Sequence, residues 1–89
     1  MRIDSIGDLG LFVRDERRRQ GLSQEELAIR SGTSRRWLSD LEGGKVTVEA
    51  GLTLKVIAAL DLILEVGPAP TPEIDLDAFL DNLGGSDDH

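Results

Sequence analysis

Residues 24–41, QEELAIRSGTSRRWLSDL, predict two short helices joined by a tight turn. Ser23 and Glu26 have the spacing of a capping box, in which each side chain accepts a hydrogen bond from a backbone N–H group at the start of the first helix. Gly32 can adopt the left-handed conformation that ends a helix sharply. Ser34 is placed to cap the second helix.

The apolar residues of this stretch fall on the inner sides of the two predicted helices. Leu27 and Ala28 lie in the first helix, and Leu38 and Leu41 lie three residues apart in the second, so both pairs can be buried. The small side chain of Ala28 suits two helices that cross steeply near a turn. A short helix, a turn with glycine and a second short helix with a polar outer face form the helix-turn-helix pattern, whose second helix enters the major groove of DNA.

A set of residues in and just after this stretch is expected to contact DNA: Gln24, Ser34, Arg35, Arg36, Trp37, Ser39, Asp40 and Lys45. Arg35 and Arg36 are the candidate readers of base sequence, because they lie at the N-terminal end of the second helix and arginine can bond both O6 and N7 of guanine. Two arginines at this end oppose the helix dipole, so helix stability does not account for them. Simple solvation of the two side chains is the alternative.

The other expected contacts also have alternatives. Gln24 opens the first helix of the pair and is expected to contact a phosphate or a base edge, with ordinary first-turn polarity as the alternative. Trp37 has three interpretations: packing on the preceding helix, stacking on a sugar and a thymine methyl group, or a dimer contact. Asp40 would repel phosphate, so it is expected to select a base or to pair with an arginine. Lys45 follows two glycines and can reach a phosphate.

Several short motifs are spread over four predicted helices: Val13-Arg14, Arg17, Gly21-Leu22-Ser23-Gln24, Leu27-Ala28, Gly32-Thr33-Ser34, Leu38, Leu41-Glu42 and Gly44-Lys45. Together they resemble the Cro/C1-type (XRE) helix-turn-helix family over about residues 6–61, roughly two thirds of the chain. The resemblance implies a mostly α fold, a lambda-repressor-like bundle of four to five helices. It also implies a partly buried ion pair between Arg17 and Glu42, which orients the domain on DNA more than it adds stability.

The flanking helices follow from apolar spacing. A first helix is predicted from Ile6 to about Gln20, because apolar residues recur there at helical intervals: Ile6, Leu9, Phe12 and Val13. Its end is strongly basic, with Arg14, Arg17, Arg18 and Arg19. For Arg18 and Arg19, one interpretation is a solvated face that complements the helix dipole. A fourth helix is expected over about residues 50–60, where further apolar residues would complete the core: Leu52, Val56, Ile57 and Leu60.

Charge is distributed unevenly along the 89 residues. The net charge of −7 argues at first against nucleic acid, but residues 1–45 carry nine Arg and Lys against eight Asp and Glu, whereas residues 46–89 carry one against nine. The basic groups thus coincide with the predicted DNA-reading helices. The chain has no cysteine and no apolar run of the length that a signal peptide or a bilayer span needs, so we expect a cytoplasmic protein without membrane contact.

Residues 62–66, LILEV, are the only strand-like run in the sequence. A single strand has unpaired edges, which pairing with the same strand of a second copy would satisfy about a two-fold axis. Four side chains are therefore expected at a homodimer contact: Leu62, Ile63, Leu64 and Val66. The alternatives are one more turn of the fourth helix and an apolar loop. A dimer suits a helix-turn-helix protein, because it reads the two half-sites of a palindromic operator.

The composition predicts a boundary after the strand. Residues 1–66 are expected to form the DNA-binding domain with its dimerising strand, and residues 67–89 a proline-containing linker and an acidic amphipathic tail. The tail has apolar residues at helical spacing: Leu76, Phe79, Leu80 and Leu83. About ten residues cannot hold a helix alone in water. The tail is therefore expected to order on binding a groove of a protein partner, with docking on its own domain as the alternative.

The sequence has no pattern of cysteine, histidine or phosphate-binding glycine that would support catalysis, a cofactor or a metal site, so we expect no enzyme. A dimeric, sequence-specific repressor is the leading hypothesis. The order of helix-turn-helix, strand and acidic tail is similar to HipB-type antitoxins, which implies a type II toxin–antitoxin pair, binding to its own promoter and a HipA-type kinase toxin as partner. The alternatives are a stand-alone or phage-like regulator and a protein-interaction adaptor that does not bind DNA. The acidic total favours the adaptor, whereas Arg35, Arg36, Gln24 and Lys45 favour DNA.

Overall fold

The computed structural model describes residues 2–69 and residue 80. Residues 2–69 contain four helices: α1 over Ile6–Arg19, α2 over Gln24–Ser31, α3 over Arg35–Glu42 and α4 over Ala50–Ala59. α1 packs against α3, and α2 packs against both α3 and α4. The expectation of a mostly α fold with four helices is thus confirmed. No helix in the described part of the chain is long and apolar enough to cross a membrane.

Both helices of the helix-turn-helix begin at capping residues that the sequence predicts. The Ser23 hydroxyl accepts a hydrogen bond from the N–H of Glu26, and the Glu26 carboxylate accepts one from the N–H of Ser23, which completes the capping box. α2 ends at Gly32, whose φ of 69° is left-handed. The Ser34 hydroxyl accepts from the N–H of Trp37 and caps α3. Local hydrogen bonds therefore hold the turn at both of its ends.

The core lies between the inner faces of the four helices. Its buried apolar residues come from every helix, from the turn after α1 and from the residue that ends α4: Val13, Leu22, Leu27, Ala28, Leu38, Leu41, Val56 and Leu60. Fully burying a Val or Leu side chain contributes roughly 1.5–3 kcal/mol. This burial stabilises helices of eight to fourteen residues, which are marginal when isolated in water.

α1 and the end of α3 approach so closely that one position of α1 has room only for glycine. A Cβ atom at Gly10 would overlap the carbonyl oxygen of Leu41 and would lie 3.0 Å from that of Glu42. Gly44 has a φ of 83°, and a Cβ atom there would lie 3.2 Å from the Cα of Gly7. This backbone contact sets where the C-terminal end of α3 lies relative to α1.

The chain leaves α4 without entering a strand. Asp61 adopts a left-handed conformation with a φ of 58°, and residues 62–69 are neither helix nor strand in the described single chain. The extra turn of helix considered above is therefore wrong, and the strand over residues 62–66 is not confirmed. A strand that pairs only with a second copy finds no partner within one chain, so intersubunit pairing stays a prediction.

The fifth helix, which the resemblance allowed, would fall in the tail. Three of the four tail residues singled out above lie outside the described residues: Leu76, Phe79 and Leu83. Leu80 is described, and 58% of it is exposed.

Candidate nucleic-acid interface

A buried ion pair joins α1 to α3. The Arg17 guanidinium donates from Nε to Oε2 of Glu42 at 2.8 Å and from Nη2 to Oε1 at 3.0 Å, while Nη1 donates to the carbonyl oxygen of Leu22 at 2.8 Å. The two charged side chains are only 9% and 3% exposed. The hydrogen bonds to Glu42 raise the pKa of Arg17 above its ordinary value, although burial acts in the opposite direction. The bidentate geometry holds the last turns of the two helices in one orientation.

α3 presents basic and polar side chains to solvent on its outer face. Arg35, Arg36 and Ser39 are exposed, whereas Leu38 is fully buried. Neither arginine forms an ion pair with a carboxylate in the described part of the chain. The first turn of α3 also has no acidic residue, so the positive end of the helix dipole adds to the charge of the two guanidinium groups. This end of α3 therefore offers several unengaged donors to an acceptor outside the protein.

Two of the expected contact residues have roles inside the domain. The Ser34 hydroxyl oxygen is engaged by the N–H of Trp37. Trp37 is half-buried and packs against the core. Of the three interpretations of Trp37, packing within the domain is the one that these contacts favour.

Asp40 and Lys45 form an ion pair at the C-terminal end of α3. The Nζ atom of Lys45 lies 3.5 Å from Oδ2 of Asp40, and the two side chains are 56% and 39% exposed. The structure thus pairs Asp40 with a lysine, where the sequence favoured an arginine or a base. An ion pair this exposed adds little to stability.

Gln24 connects the start of α2 to the buried ion pair. Its Nε2 atom donates to Oε1 of Glu42 at 3.2 Å, and the side chain is half-buried. This contact inside the domain is neither of the two roles that the sequence suggests for Gln24, so its contact with DNA stays a prediction.

Two arginines at the basic end of α1, which were not among the expected DNA contacts, complete this surface. Arg14 and Arg18 lie one turn apart on α1 and help to line a polar pocket of about 240 Å³, here called the arginine pocket: Arg14, Arg17, Arg18, Gln24, Ser39, Glu42 and Gly43. Their spacing of four residues, which puts them on one face of the helix beside Arg17, is the signal that could have identified them.

The residues expected at the dimer contact lie in the extended segment after α4. Leu62 packs on the edge of the core, whereas Ile63, Leu64 and Val66 are 81%, 52% and 89% exposed. This segment, residues 2–4 and one side of α1 border an open groove of about 920 Å³. Large apolar side chains grouped in this way are typical of an interaction surface.

The geometry defines a class of protein. A short helix with an exposed basic N-terminal end follows a tight turn, and a core and a buried ion pair hold that helix in place. This is the arrangement of helix-turn-helix DNA-binding proteins.

Comparison with known proteins agrees with this class. A family model described as a helix-turn-helix domain matches residues 8–74, and the chain belongs to this helix-turn-helix family. It is 38% identical over 65 residues to the uncharacterized HTH-type transcriptional regulator y4mF of Sinorhizobium fredii (strain NBRC 101917 / NGR234), a match that covers 73% of this chain and 86% of the relative. The chain is therefore a helix-turn-helix transcriptional regulator of the Cro/C1 (XRE) type.

Solved structures of HipB share the fold. A HipB variant in complex with an O2 20mer superposes with a TM-score of 0.73 at 23% identity, over 79% of this chain and 97% of that chain. The complex of HipB with an O4 20mer gives the same TM-score and identity, over 79% and 99%.

Proposed function

We propose that this regulator is a sequence-specific repressor that binds a palindromic operator as a homodimer. The observation that carries the proposal is the exposure of Arg35 and Arg36 at the N-terminal end of α3, the end that meets base edges in this fold. Because the opposite face of α3 is buried in the core, both side chains lie on the solvent side of the helix. Each can bond both O6 and N7 of a guanine in the major groove.

The remaining polar residues of the surface would hold the DNA backbone. Lys45 lies at the end of α3 and Gln24 at the start of α2, so phosphate contacts on both sides of α3 would set the register of the domain on the duplex. Ser34, Trp37, Ser39 and Asp40 belong to the same helix or its cap and would tune the fit of α3 in the groove. The acidic groups of residues 46–89 are remote in sequence from this surface, and this accommodates the net charge of −7.

The test of base reading compares single variants on two duplexes. One duplex is selected by the wild-type protein from a randomised library, and the other is its scrambled counterpart. Arg35→Ala and Arg36→Ala are each expected to weaken binding to the selected duplex by about 1–3 kcal/mol and to reduce discrimination between the duplexes. Arg30→Ala removes the same side chain from the exposed end of α2 and is the matched control, which is expected to leave discrimination unchanged.

Lys45→Ala provides the contrast. The binding of every variant to both duplexes is measured by fluorescence anisotropy. If Lys45 contacts a phosphate, its loss weakens both duplexes alike and lowers the salt slope of binding by about one unit. Unchanged discrimination in both arginine variants would contradict base reading by α3. Absence of DNA binding in the wild-type protein would favour the adaptor hypothesis.

The dimer is proposed to form through residues 62–66. Ile63, Leu64 and Val66 are exposed apolar side chains in an extended segment, and an unpaired strand edge of this composition favours pairing with its own copy. Ile63→Pro is expected to give a folded monomer, because proline removes a backbone donor from the strand ladder. Ile63→Val keeps the donor and is expected to stay dimeric. Analytical ultracentrifugation measures both, and a dimeric Ile63→Pro variant would contradict this pairing.

The proposal extends to a partner, a HipA-type kinase toxin, for which this chain would be the antitoxin in the cytoplasm. Two observations support it: the similarity of the fold to HipB and the composition of residues 67–89, which contain six acidic residues and no Lys or Arg. The apolar residues of that tail would enter a groove of the partner: Leu76, Phe79, Leu80 and Leu83.

A pull-down from host lysate with the full chain and with a version ending at Gly67 tests this partner. Capture of a kinase by the full chain, with loss in the shorter version, is expected if the tail is the contact. Equal capture by both versions would move the contact to the folded domain. Promoter binding without any captured kinase would favour a stand-alone regulator.

A further inference from the structure

The arginine pocket carries more positive charge than its own residues compensate. It contains three guanidinium groups and one carboxylate. The Glu42 carboxylate is already engaged, because Oε1 accepts from Arg17 and Gln24, and Oε2 accepts from Arg17. The charges of Arg14 and Arg18 are therefore left to attract an anion from outside the domain.

Arg14 has no carboxylate partner among the described residues. Its Nε atom is buried and has no hydrogen-bond partner in the same part of the chain. Arginine stays protonated in proteins. Arg14 is partly exposed and lines the pocket, so its uncompensated charge favours an anion there.

Gly43 lines the pocket at the end of α3. Its φ of −81° is accessible to any residue, so the backbone does not require glycine here. A Cβ atom at this position would lie 3.3 Å from the carbonyl oxygen of Ser39, which is a tight contact. No atom of α1 lies within 4 Å of this Cβ position, so the pocket is open beside Gly43.

We propose that the arginine pocket holds a phosphate of the DNA backbone, with Arg14 and Arg18 as its ligands. Guanidinium groups match the oxygen atoms of phosphate in both charge and geometry. Ser39 lines the pocket and also belongs to the exposed face of α3. A DNA backbone held in the pocket would therefore run beside the groove that α3 enters. The inference rests on the proposed DNA-binding function and adds to it two residues that position the duplex without reading its sequence.

The first test measures DNA affinity of Arg14→Gln at several salt concentrations, on the selected and scrambled duplexes. The variant is expected to bind both duplexes about tenfold more weakly, as suits one lost hydrogen bond to a charged group, and to lower the salt slope by about one unit. Arg30→Gln makes the same change at an exposed arginine outside the pocket, and is expected to alter neither quantity. Wild-type affinity and slope in Arg14→Gln, with selective binding by the wild-type protein, would overturn the inference and leave the proposed function standing.

The second test needs no variant and separates DNA from free phosphate. The guanidinium N–H resonances of Arg14 are followed by NMR during titration of the wild-type protein with the selected duplex and, separately, with inorganic phosphate. A shift with the duplex, with or without one in inorganic phosphate, supports a backbone phosphate in the pocket. A shift only with inorganic phosphate would overturn the assignment to DNA, and no shift with either would overturn the site itself.

Discussion

Gly10→Ala tests whether α1 and α3 approach as closely as the structure shows. The added methyl group would overlap the carbonyl oxygen of Leu41 and crowd the backbone of Glu42, at 3.0 and 3.1 Å from its carbonyl oxygen and carbon. Backbone atoms cannot rotate away as a side chain can, so the two helices would have to separate. Separation would loosen the contacts that Val13 makes in the core.

The expected change in the free energy of unfolding of Gly10→Ala is the sum of two opposing effects. Overpacking a tight site costs about 1–3 kcal/mol, and a clash with the backbone of α3, which cannot rotate away, belongs at the upper end. Alanine recovers up to about 1 kcal/mol relative to glycine within a helix. The net expectation is a loss of about 2 kcal/mol in the free energy of unfolding, which lowers the Tm of a domain of this size by about 8–16 °C.

The assay is thermal and urea unfolding followed by circular dichroism, with Gly7→Ala as the matched control. Gly7 lies in the same helix, but a Cβ atom there meets only the Ser5 hydroxyl, at an ordinary distance of 3.6 Å. That variant is expected to be as stable as the wild type or slightly more stable. If Gly10→Ala were as stable as Gly7→Ala, the close approach of α1 to α3 would be refuted.

Three further changes test other parts of the fold. Asp61→Gly removes a side chain from a left-handed residue and is expected to raise the free energy of unfolding by about 0.5–1 kcal/mol; no gain in urea unfolding would contradict strain at this position. Hydrogen bonds from the Ser23 backbone and hydroxyl lower the pKa of Glu26 below its ordinary value of 4.5, so its contribution to stability is complete above pH 4.5 and is lost as the pH falls through the lowered pKa. The Tm advantage of the wild type over Glu26→Gln should therefore shrink below pH 4.5, and an advantage independent of pH would argue against the capping box. Arg17→Met leaves Glu42 buried without its partner and is expected to cost about 3–5 kcal/mol, most of which the double variant with Glu42→Met restores; equal losses in the single and double variants would show that the cost lies elsewhere.

Local features of the helix-turn-helix could be predicted because each depends on a few neighbouring residues. Ser23, Glu26 and Ser34 cap helices through bonds that span three residues, and such spacing is visible in the sequence. The buried positions followed from helical periodicity in the same way, as Leu38 and Leu41 show.

Apart from the Arg17–Glu42 ion pair, which the family resemblance implied and the structure contains, features that depend on how helices pack could not be predicted. Nothing in the sequence distinguishes Gly10 from the other glycines, because the need for glycine there comes from the carbonyl groups of α3. Arg14 and Arg18 read alike as basic residues, yet the Nε atom of Arg14 is buried and Arg18 is exposed. The strand over residues 62–66 needs a second chain to form its ladder, so it stays a prediction.

Trp37 gives the protein a natural optical probe. It is the only tryptophan in the sequence, it packs against the core, and it lies on the helix that carries Arg35 and Arg36. Unfolding would move its indole ring into water and shift its emission to longer wavelength, while a duplex bound along α3 would change its intensity. One unlabelled sample could therefore report both the melting of the domain and its occupancy by DNA.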